Sequence, residues 1–420
     1  MKRYFSDILS VCHKLLNDYE FLCRFRVNPS HFTRMRKLSF ADFMLFIISG
    51  AKNTLQGELY HFLDMTKRNS ETYSKQAFSK GRNRIRPEAF KELSDTVIRN
   101  IYPMAETKTW FGFHLLAIDG SKQNLPINPD LIKEFGEQIT SGSSQPQDLC
   151  SCLLDVLNGL IVDALFSGCR SSERKHAEEM IRNIDTELIT NPLYLMDRGY
   201  PAYDMIAMFE ELGQKYAMRC DQTFLKSVHW EGPDAVVAHK FAKAKEPVRF
   251  RIITITLDSG EKEYLITNLF DESLHEKEFK ELYHYRWGIE TKYNDLKGKL
   301  QIENFTGNTV IAVRQDFFAT LYLANLAGVL AMDYRDEIEA LHNIPENART
   351  YKLNVNLTIS ALKQNVVSLL LCDTSAERAV ILSNIAQRLK SAVVPVRPDR
   401  SNPRKVRHAH SKYPQNRKLP

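Results

Sequence analysis

Two aspartates each close an apolar run: Asp119 ends GFHLLAID and precedes Gly120-Ser121, and Asp197 ends PLYLMD and precedes Arg198-Gly199-Tyr200. A third acid, Glu290, lies in a segment where Tyr283, Arg286, Glu290 and Lys297 fall at −7, −4, 0 and +7. At about 3.6 residues per turn these four share one narrow helical stripe. Such a stripe is ordinarily apolar core. Here it is polar, while Leu282, Tyr285, Ile289, Tyr293, Leu296 and Leu300 form a separate apolar stripe that can seat the helix. Carboxylates from two strand ends and one helix suit two-metal phosphodiester chemistry. That chemistry needs hard oxygen ligands around ions ~3.5–4 Å apart, one activating the attacking oxygen and the other offsetting charge on the leaving one. Neighbouring strands lie about 5 Å apart, so acids at their ends can converge on such ions. Arg286 suits bidentate phosphate contact and Lys297 supplies a point charge. Plainer readings use the same residues. An aspartate before a glycine turn is commonly only a turn residue, and Arg286–Glu290 has the spacing of an exposed ion pair worth roughly 0.2–0.5 kcal/mol.

Strands are expected over 112–119, 149–157, 160–166 and 192–197, each an apolar run. Asn158-Gly159 makes a hairpin turn between the second and third. Ser171 or Ser172 caps a helix to about Leu188, followed by a helix over 203–212 and a short strand over 215–219. Residues 220–272 become β-rich, with strands 248–257 and 263–270 around a Ser259-Gly260 turn. One long helix is expected from His275 to about Leu300, with more helix over 313–332 and 355–392. This order is α/β. It resembles a ribonuclease-H-like core over 106–332, with a β-rich insertion at about 220–272 between the second and third acids.

Ahead of that core, residues 1–105 read as a helical, basic domain that binds DNA ends. Ser39 with Asp42 signals an N-cap, residues 54–64 form a second helix, and Pro87 opens another. Lys75, Lys80, Arg82, Arg84 and Arg86, with Gln76, Ser79 and Asn83 among them, resemble the basic helix of a helix-turn-helix arrangement. A solvated helix face has the same composition. Residues 333–394 read as a C-terminal helical region, and 395–420 as a basic disordered tail.

The net charge of +6 is unevenly spread: residues 1–100 are at +8 and residues 397–420 at +7, leaving −9 for the stretch between. Basic ends around an acidic middle suit a polyanion gripped outside a carboxylate core. Seven cysteines cannot all pair internally and show no zinc spacing. Cys150 and Cys152, in an apolar run, read as buried free thiols of a reducing cytoplasm. The N-terminus lacks a small-residue cleavage site, so no signal peptide is expected. Phe40–Ile48 is half a membrane span and contains Asp42, which suits a core helix.

Tyr283-x2-Arg286-x3-Glu290-x6-Lys297 resembles the Tyr-Arg-Glu-Lys signature of bacterial insertion-sequence transposases with DDE chemistry, the insertion-sequence-four-like group. LLAIDGS around Asp119, LMDRGY around Asp197, the 93-residue step from Asp197 to Glu290 and the segment KQAFSKGRNRIRPEAF are similar to blocks of that group. The likeness spans about residues 30–330. It implies a transposase in which Asp119, Asp197 and Glu290 hold two Mg²⁺ or Mn²⁺ ions. Water attacks at the element's end, and the freed 3′ hydroxyl then attacks target DNA or the opposite strand. Tyr283, Arg286 and Lys297 would contact the terminal phosphates. The resemblance further implies double-stranded DNA as partner (terminal inverted repeats and target), a homodimer on paired ends, and a cytoplasmic enzyme acting at the nucleoid without a membrane.

Arg198, beside the second acid, joins the basic segment as an expected DNA contact. Glu173, Glu178 and Glu179 are weaker metal candidates, because acids favour helix N-termini in any case. His114 reads as a packed core histidine, Trp230 as an ordinary aromatic of the insertion, and His408 with His410 as no metal site. Two other functions fit the same residues: a DNA-binding protein descended from a transposase but without catalysis, and a ribonuclease-H-like nuclease without strand transfer.

Overall fold

The computed structural model describes residues 3–50, 54–68, 70–140, 143–226, 228–241, 246–257, 260–344 and 349–396. Its backbone contacts divide the chain into two units: residues 1–105, 122–148 and 295–420 form the first, and residues 106–121 and 149–294 the second. Strands β1 (His114–Asn124) and β3 (Ser143–Asp155) contribute residues to both.

The first unit is mainly helical. It begins with α1 (Phe5–Leu16), α2 (Tyr19–Phe25), α3 (Phe40–Ser49), α4 (Leu55–Met65), α5 (Lys75–Arg82) and α6 (Glu88–Met104). Ser39 and Asp42 close a capping box on α3, and Thr54 and Ser74 accept N–H groups that the first turns of α4 and α5 leave open. It continues with α7 (Pro129–Phe135) and an antiparallel pair between β2 (Glu137–Thr140) and the start of β3. It ends with α13 (Val310–His342), α14 (Val355–Leu371), α15 (Ser375–Ser391) and the short pair β10 (Tyr351–Lys352) and β11 (Val394–Pro395).

At 33 residues α13 is long and apolar enough to cross a membrane, yet 83% of its apolar window is buried inside the protein. It packs on α3, α6 and α14 and is the core helix of this unit. Polar groups buried with it are paired: Asn325 donates to Ser94 Oγ at 2.9 Å, and Asp333 caps α1 by accepting the Tyr4 and Phe5 N–H groups at 2.9 and 3.0 Å. Residues 1–105 therefore share a core with the later helices instead of forming a domain apart from 333–394. The apolar faces of α3 and α6 are covered by a helix more than two hundred residues away.

The second unit is built on strands in the order β4-β3-β1-β5-β6-β9-β8-β7, with β4 (Leu160–Gly168), β5 (Pro192–Met196), β6 (Lys215–Cys220), β7 (Asp234–His239), β8 (Val248–Thr256) and β9 (Lys262–Thr267). β1–β5 and β5–β6 are parallel, while β6–β9, β9–β8 and β8–β7 are antiparallel. The protein is thus mixed α/β with a large, mostly antiparallel sheet. β5 is buried along its whole length, as suits a parallel strand between two others. The residues read as an insertion extend this sheet, β9 adding to β6. Helices α8 (Glu173–Arg182), α9 (Tyr203–Leu212), α10 (Gln222–Leu225), α11 (Glu276–Tyr285) and most of α12 (Trp287–Gly298) complete the unit.

Three local expectations change. β1 does not turn after Asp119 but runs on to Asn124. The hairpin turn spans Val156–Gly159, not only Asn158-Gly159; the Gly159 N–H closes it on Asp155 O at 2.7 Å, with Gly159 at φ 74°. The helix expected from His275 to Leu300 is interrupted at Arg286, whose N–H bonds back to Tyr283 O at 3.1 Å in a tighter turn. Ser259 and the tail from 397, with His408 and His410, lie outside the described residues.

Candidate active site

Ala117 of β1 faces Leu195 of the parallel neighbour β5. Continued two residues, that register sets Asp119 opposite Asp197. Both then lie on one face, because side chains alternate with period two, on strands about 4.8 Å apart. β5 ends at Met196, and the chain turns at once: Asp197 Oδ1 accepts the Gly199 N–H at 2.7 Å. Asp119 Oδ1 accepts the Gly120 N–H at 2.9 Å. Burial is the main force that raises the Asp119 pKa to about 7; the charges of Asp197 and Glu173 add to it, and the Gly120 N–H and Arg286 oppose it.

α12 is seated beside these strands by Tyr293, whose hydroxyl lies 2.8 Å from Asp119 O and 3.1 Å from Cys150 O. Lys292 Nζ donates to Gly159 O at 2.7 Å. Gly288 permits the close approach, since a Cβ there would stand 3.2 Å from Val156. Ile289 is buried below, and Glu290 projects to a half-exposed position, where its Oε1 accepts Arg286 Nη2 at 2.8 Å. The Arg286 guanidinium is stacked over the rings of Tyr283 and Trp287, at 5.6 and 4.8 Å from their centroids, and its Nε has no partner. Tyr283 is buried with an unpartnered hydroxyl, and burial chiefly pushes its pKa up to about 12. The polar stripe therefore does not simply face a cleft: Tyr283 and Arg286 are buried, while Glu290 and Lys297 are half-buried.

Among the described residues no three His, Cys, Asp or Glu side chains stand close enough together to hold a metal ion. The arrangement shows two carboxylates in register, a proton held to near neutrality by burial and like charge, and a third carboxylate paired with Arg286. These donors are oxygens of the kind a hard divalent cation takes, but among the described residues three of them do not converge on one point.

The other expected contacts are dispersed. Arg198 is exposed beside Asp197. Lys297 belongs to the first unit, where its Nζ donates to Lys122 O at 2.6 Å, lies 3.5 Å from Glu303 and faces the buried Asp148. It is thus already held by protein groups. Lys75, Lys80 and Arg86 are exposed and Arg84 is half-buried. Arg82, expected as a DNA contact, is instead buried among protein acceptors. It is 2% exposed and donates to Gln315 Oε1, Thr306 Oγ1, Asp316 Oδ1 and Ala312 O at 2.8, 2.7, 2.8 and 3.2 Å. His114 is buried 3.4 Å from Asp155, as a core histidine, and Trp230 meets Tyr264 edge-on.

Two residues stand closer to the aspartates than their sequence signal suggested. Glu173 lies against Gly120, where an added Cβ would fall 2.6 Å from its carboxyl carbon. Tyr200 is 1% exposed with an unpartnered hydroxyl; burial, then the charges of Asp119, Glu173 and Asp197, drive its pKa well up. The only sequence hint of Tyr200 is its place three residues after Asp197.

Comparison with known proteins shows the family of the chain. The family profile described as a transposase DDE domain matches residues 114–326, about half of the chain. The chain belongs to the DDE transposase family. A relative, the transposase InsG of insertion sequence element IS4 from Escherichia coli (strain K12), is 24% identical over 358 residues, covering 80% of this chain and 77% of its own. A cryo-EM structure of the piggyBac transposase synaptic complex with hairpin DNA aligns over 90% of this chain and 85% of that chain, with a TM-score of 0.49 and 8% identity. As a DDE transposase, the enzyme cuts and transfers DNA strands, and its family works with divalent metal ions.

Proposed function

We propose that the enzyme cleaves DNA at the ends of an insertion sequence and joins the freed 3′ ends to target DNA through Asp119, Asp197 and Glu290. The supporting observation is the β1–β5 register, whose last pair, Ala117 with Leu195, lies two residues before each of two acids 78 residues apart in the chain. On this reading the three acids hold two ions, Mg²⁺ or Mn²⁺, within a ribonuclease-H-like core. When bound, the ions activate the attacking oxygen and offset charge on the leaving one. Asp119, on β1, and Asp197, in the turn just past β5, would hold them. Without a cation Asp119 is about half protonated at neutral pH, given its pKa of about 7, so binding releases a proton. Glu290, now paired with Arg286, would be the third residue to hold them. Arg286, fixed between two rings, then presents its fork to a phosphate of the DNA end. The Tyr283 hydroxyl, buried without a partner, supplies a further donor.

Arg198, Lys75, Lys80, Arg84 and Arg86 are the proposed contacts to duplex DNA, both terminal inverted repeats and target. Two subunits act on paired ends, at the nucleoid in the cytoplasm. The test is Mg²⁺-dependent nicking of DNA that carries the inverted repeats flanking the gene, followed by joining to a target plasmid. Asp119→Ala is expected to lose cleavage by ~1000-fold or more while still binding ends. Nicks without joined product would instead indicate a nuclease, and normal cleavage by Asp119→Ala would remove the assignment.

A further inference from the structure

We propose that the loop over residues 33–37 enters the minor groove of duplex DNA, with Arg34 and Arg36 in the groove and Met35 wedged between two base pairs; this rests on the reading of α5 and the segment after it as a duplex contact. Met35 is fully exposed, more so than any other large apolar side chain among the described residues. A single exposed apolar residue is ordinary on a protein surface. Three further observations set this one apart.

The first is its company. Arg34, Arg36 and Lys37 flank it, all exposed, and the stretch from Asn28 to Leu38 contains no acid. Long cationic side chains around one apolar tip suit a polyanion with a stacked apolar interior, which duplex DNA is. An apolar protein partner calls for a contiguous apolar patch, and residues 33–37 hold one large apolar side chain.

The second is rigidity. Phe32 packs edge-on against Phe40 and Phe43, with ring centroids 5.4 and 5.9 Å away, and this packing holds its backbone at a φ of 59°. Arg68, paired with Asp42, donates Nη1 to Lys37 O at 2.9 Å, and Lys37 Nζ donates to Thr72 O at 3.1 Å. A tip held at both ends has little ordering left to lose on binding.

The third is place. Phe43 also stacks on Phe78 of α5 at 5.3 Å and meets Tyr73 edge-on at 6.2 Å. The segment before the loop pairs with the segment after α5: the Val27 N–H donates to Arg84 O at 2.9 Å, and the Arg86 N–H to Phe25 O at 2.8 Å. α5 exposes Lys75, Gln76, Ser79 and Lys80 along one face, and a helix is what the major groove admits. The minor groove is narrower. Arginines sense its width, and apolar side chains unstack its base steps.

The test is fluorescence anisotropy of the full-length protein with a labelled duplex of the inverted repeat flanking its gene, together with energy transfer between dyes at the duplex ends. Met35→Ala is expected to weaken binding ~10-fold and to relax a bend of about 20° or more, with the salt slope of wild type because no charge is lost. Arg34→Ala and Arg36→Ala should each lower that slope by about one unit. Met35→Leu should keep the bend and Met35→Gln should lose it, both at the wild-type melting temperature. Inosine in place of guanine removes only the minor-groove amino group; it should change wild-type affinity and leave that of the Arg34→Ala, Arg36→Ala double variant unmoved. An unchanged bend in Met35→Ala overturns the wedge, whether or not affinity falls, because Met35 would then lie outside the base stack. Equal effects of inosine on wild type and double variant overturn the minor-groove assignment. Slopes unchanged in Lys75→Ala and Lys80→Ala as well as in the loop variants would instead remove the reading of the basic segment beneath the proposal.

Discussion

Arg82 and Arg286 look alike in burial and partner but differ in how completely they are bound. Exposures are 2% and 4%, and each donates to a carboxylate at 2.8 Å. Arg82 is surrounded by acceptors, and its partner Asp316, whose side chain is 9% exposed, also binds the N–H and hydroxyl of Thr306. That network is closed. Arg286 keeps an unpartnered Nε, and its partner Glu290 has a side chain 38% exposed. That network is open, with a donor and an acceptor left for something the protein does not supply. Burial and charge mark both arginines; incomplete satisfaction marks the one proposed to act.

The sharpest way to break this comparison is to mutate both. Arg82→Ala leaves Asp316 buried without its counter-charge and should cost ~3–5 kcal/mol in urea unfolding. A loss below about 1 kcal/mol would show that the network is not structural. Arg286→Lys should keep the melting temperature within a few degrees but slow end cleavage ~100-fold, because lysine cannot reproduce the fork. If Arg286→Lys unfolds and Arg82→Ala only loses cleavage, the two roles are exchanged. A smaller effect separates Arg82 from its exposed neighbour: Lys80→Ala should lower the salt slope of DNA binding by about one unit. An unchanged slope would place the basic segment away from phosphate.

The smallest effect concerns Asp148. It is wholly buried, with Lys297, Glu303 and the Gln123 N–H acting on its carboxylate. Burial raises its pKa well above the usual range, Lys297 partly offsets this, and Glu303 adds to it. With the folded pKa above the unfolded value of about 3.9, the folded state binds more protons. Stability from this group is therefore present below about pH 4 and is lost as pH rises through the raised folded value. Asp148→Asn should remove that loss, so its melting temperature relative to wild type should climb by roughly 2–4 °C between pH 4 and pH 8. A difference that stays flat with pH would mean Asp148 does not titrate in that range.

The strands that carry the candidate acids were legible because a buried parallel strand is a continuous apolar run, and both GFHLLAID and PLYLMD stop at an acid. Their adjacency was not legible, since register between strands 78 residues apart has no local signature. Arg82 shows the same limit: its partner Asp316 lies 234 residues away, and no feature of KGRNR separates it from the exposed bases beside it. The interruption at Arg286 is marked by no proline or adjacent pair of glycines. Residues 122–148 pass from the end of β1 to the start of β3 through short, largely polar elements, with too little periodicity to read.

The most direct test is single-turnover cleavage of labelled terminal-repeat DNA by Glu290→Ala in Mg²⁺, with end binding measured in parallel. The prediction is cleavage reduced ~1000-fold or more with binding retained. Cleavage within about twofold of wild type would contradict it, because Arg286 would then have only a structural partner in Glu290 and the open network would carry no chemistry.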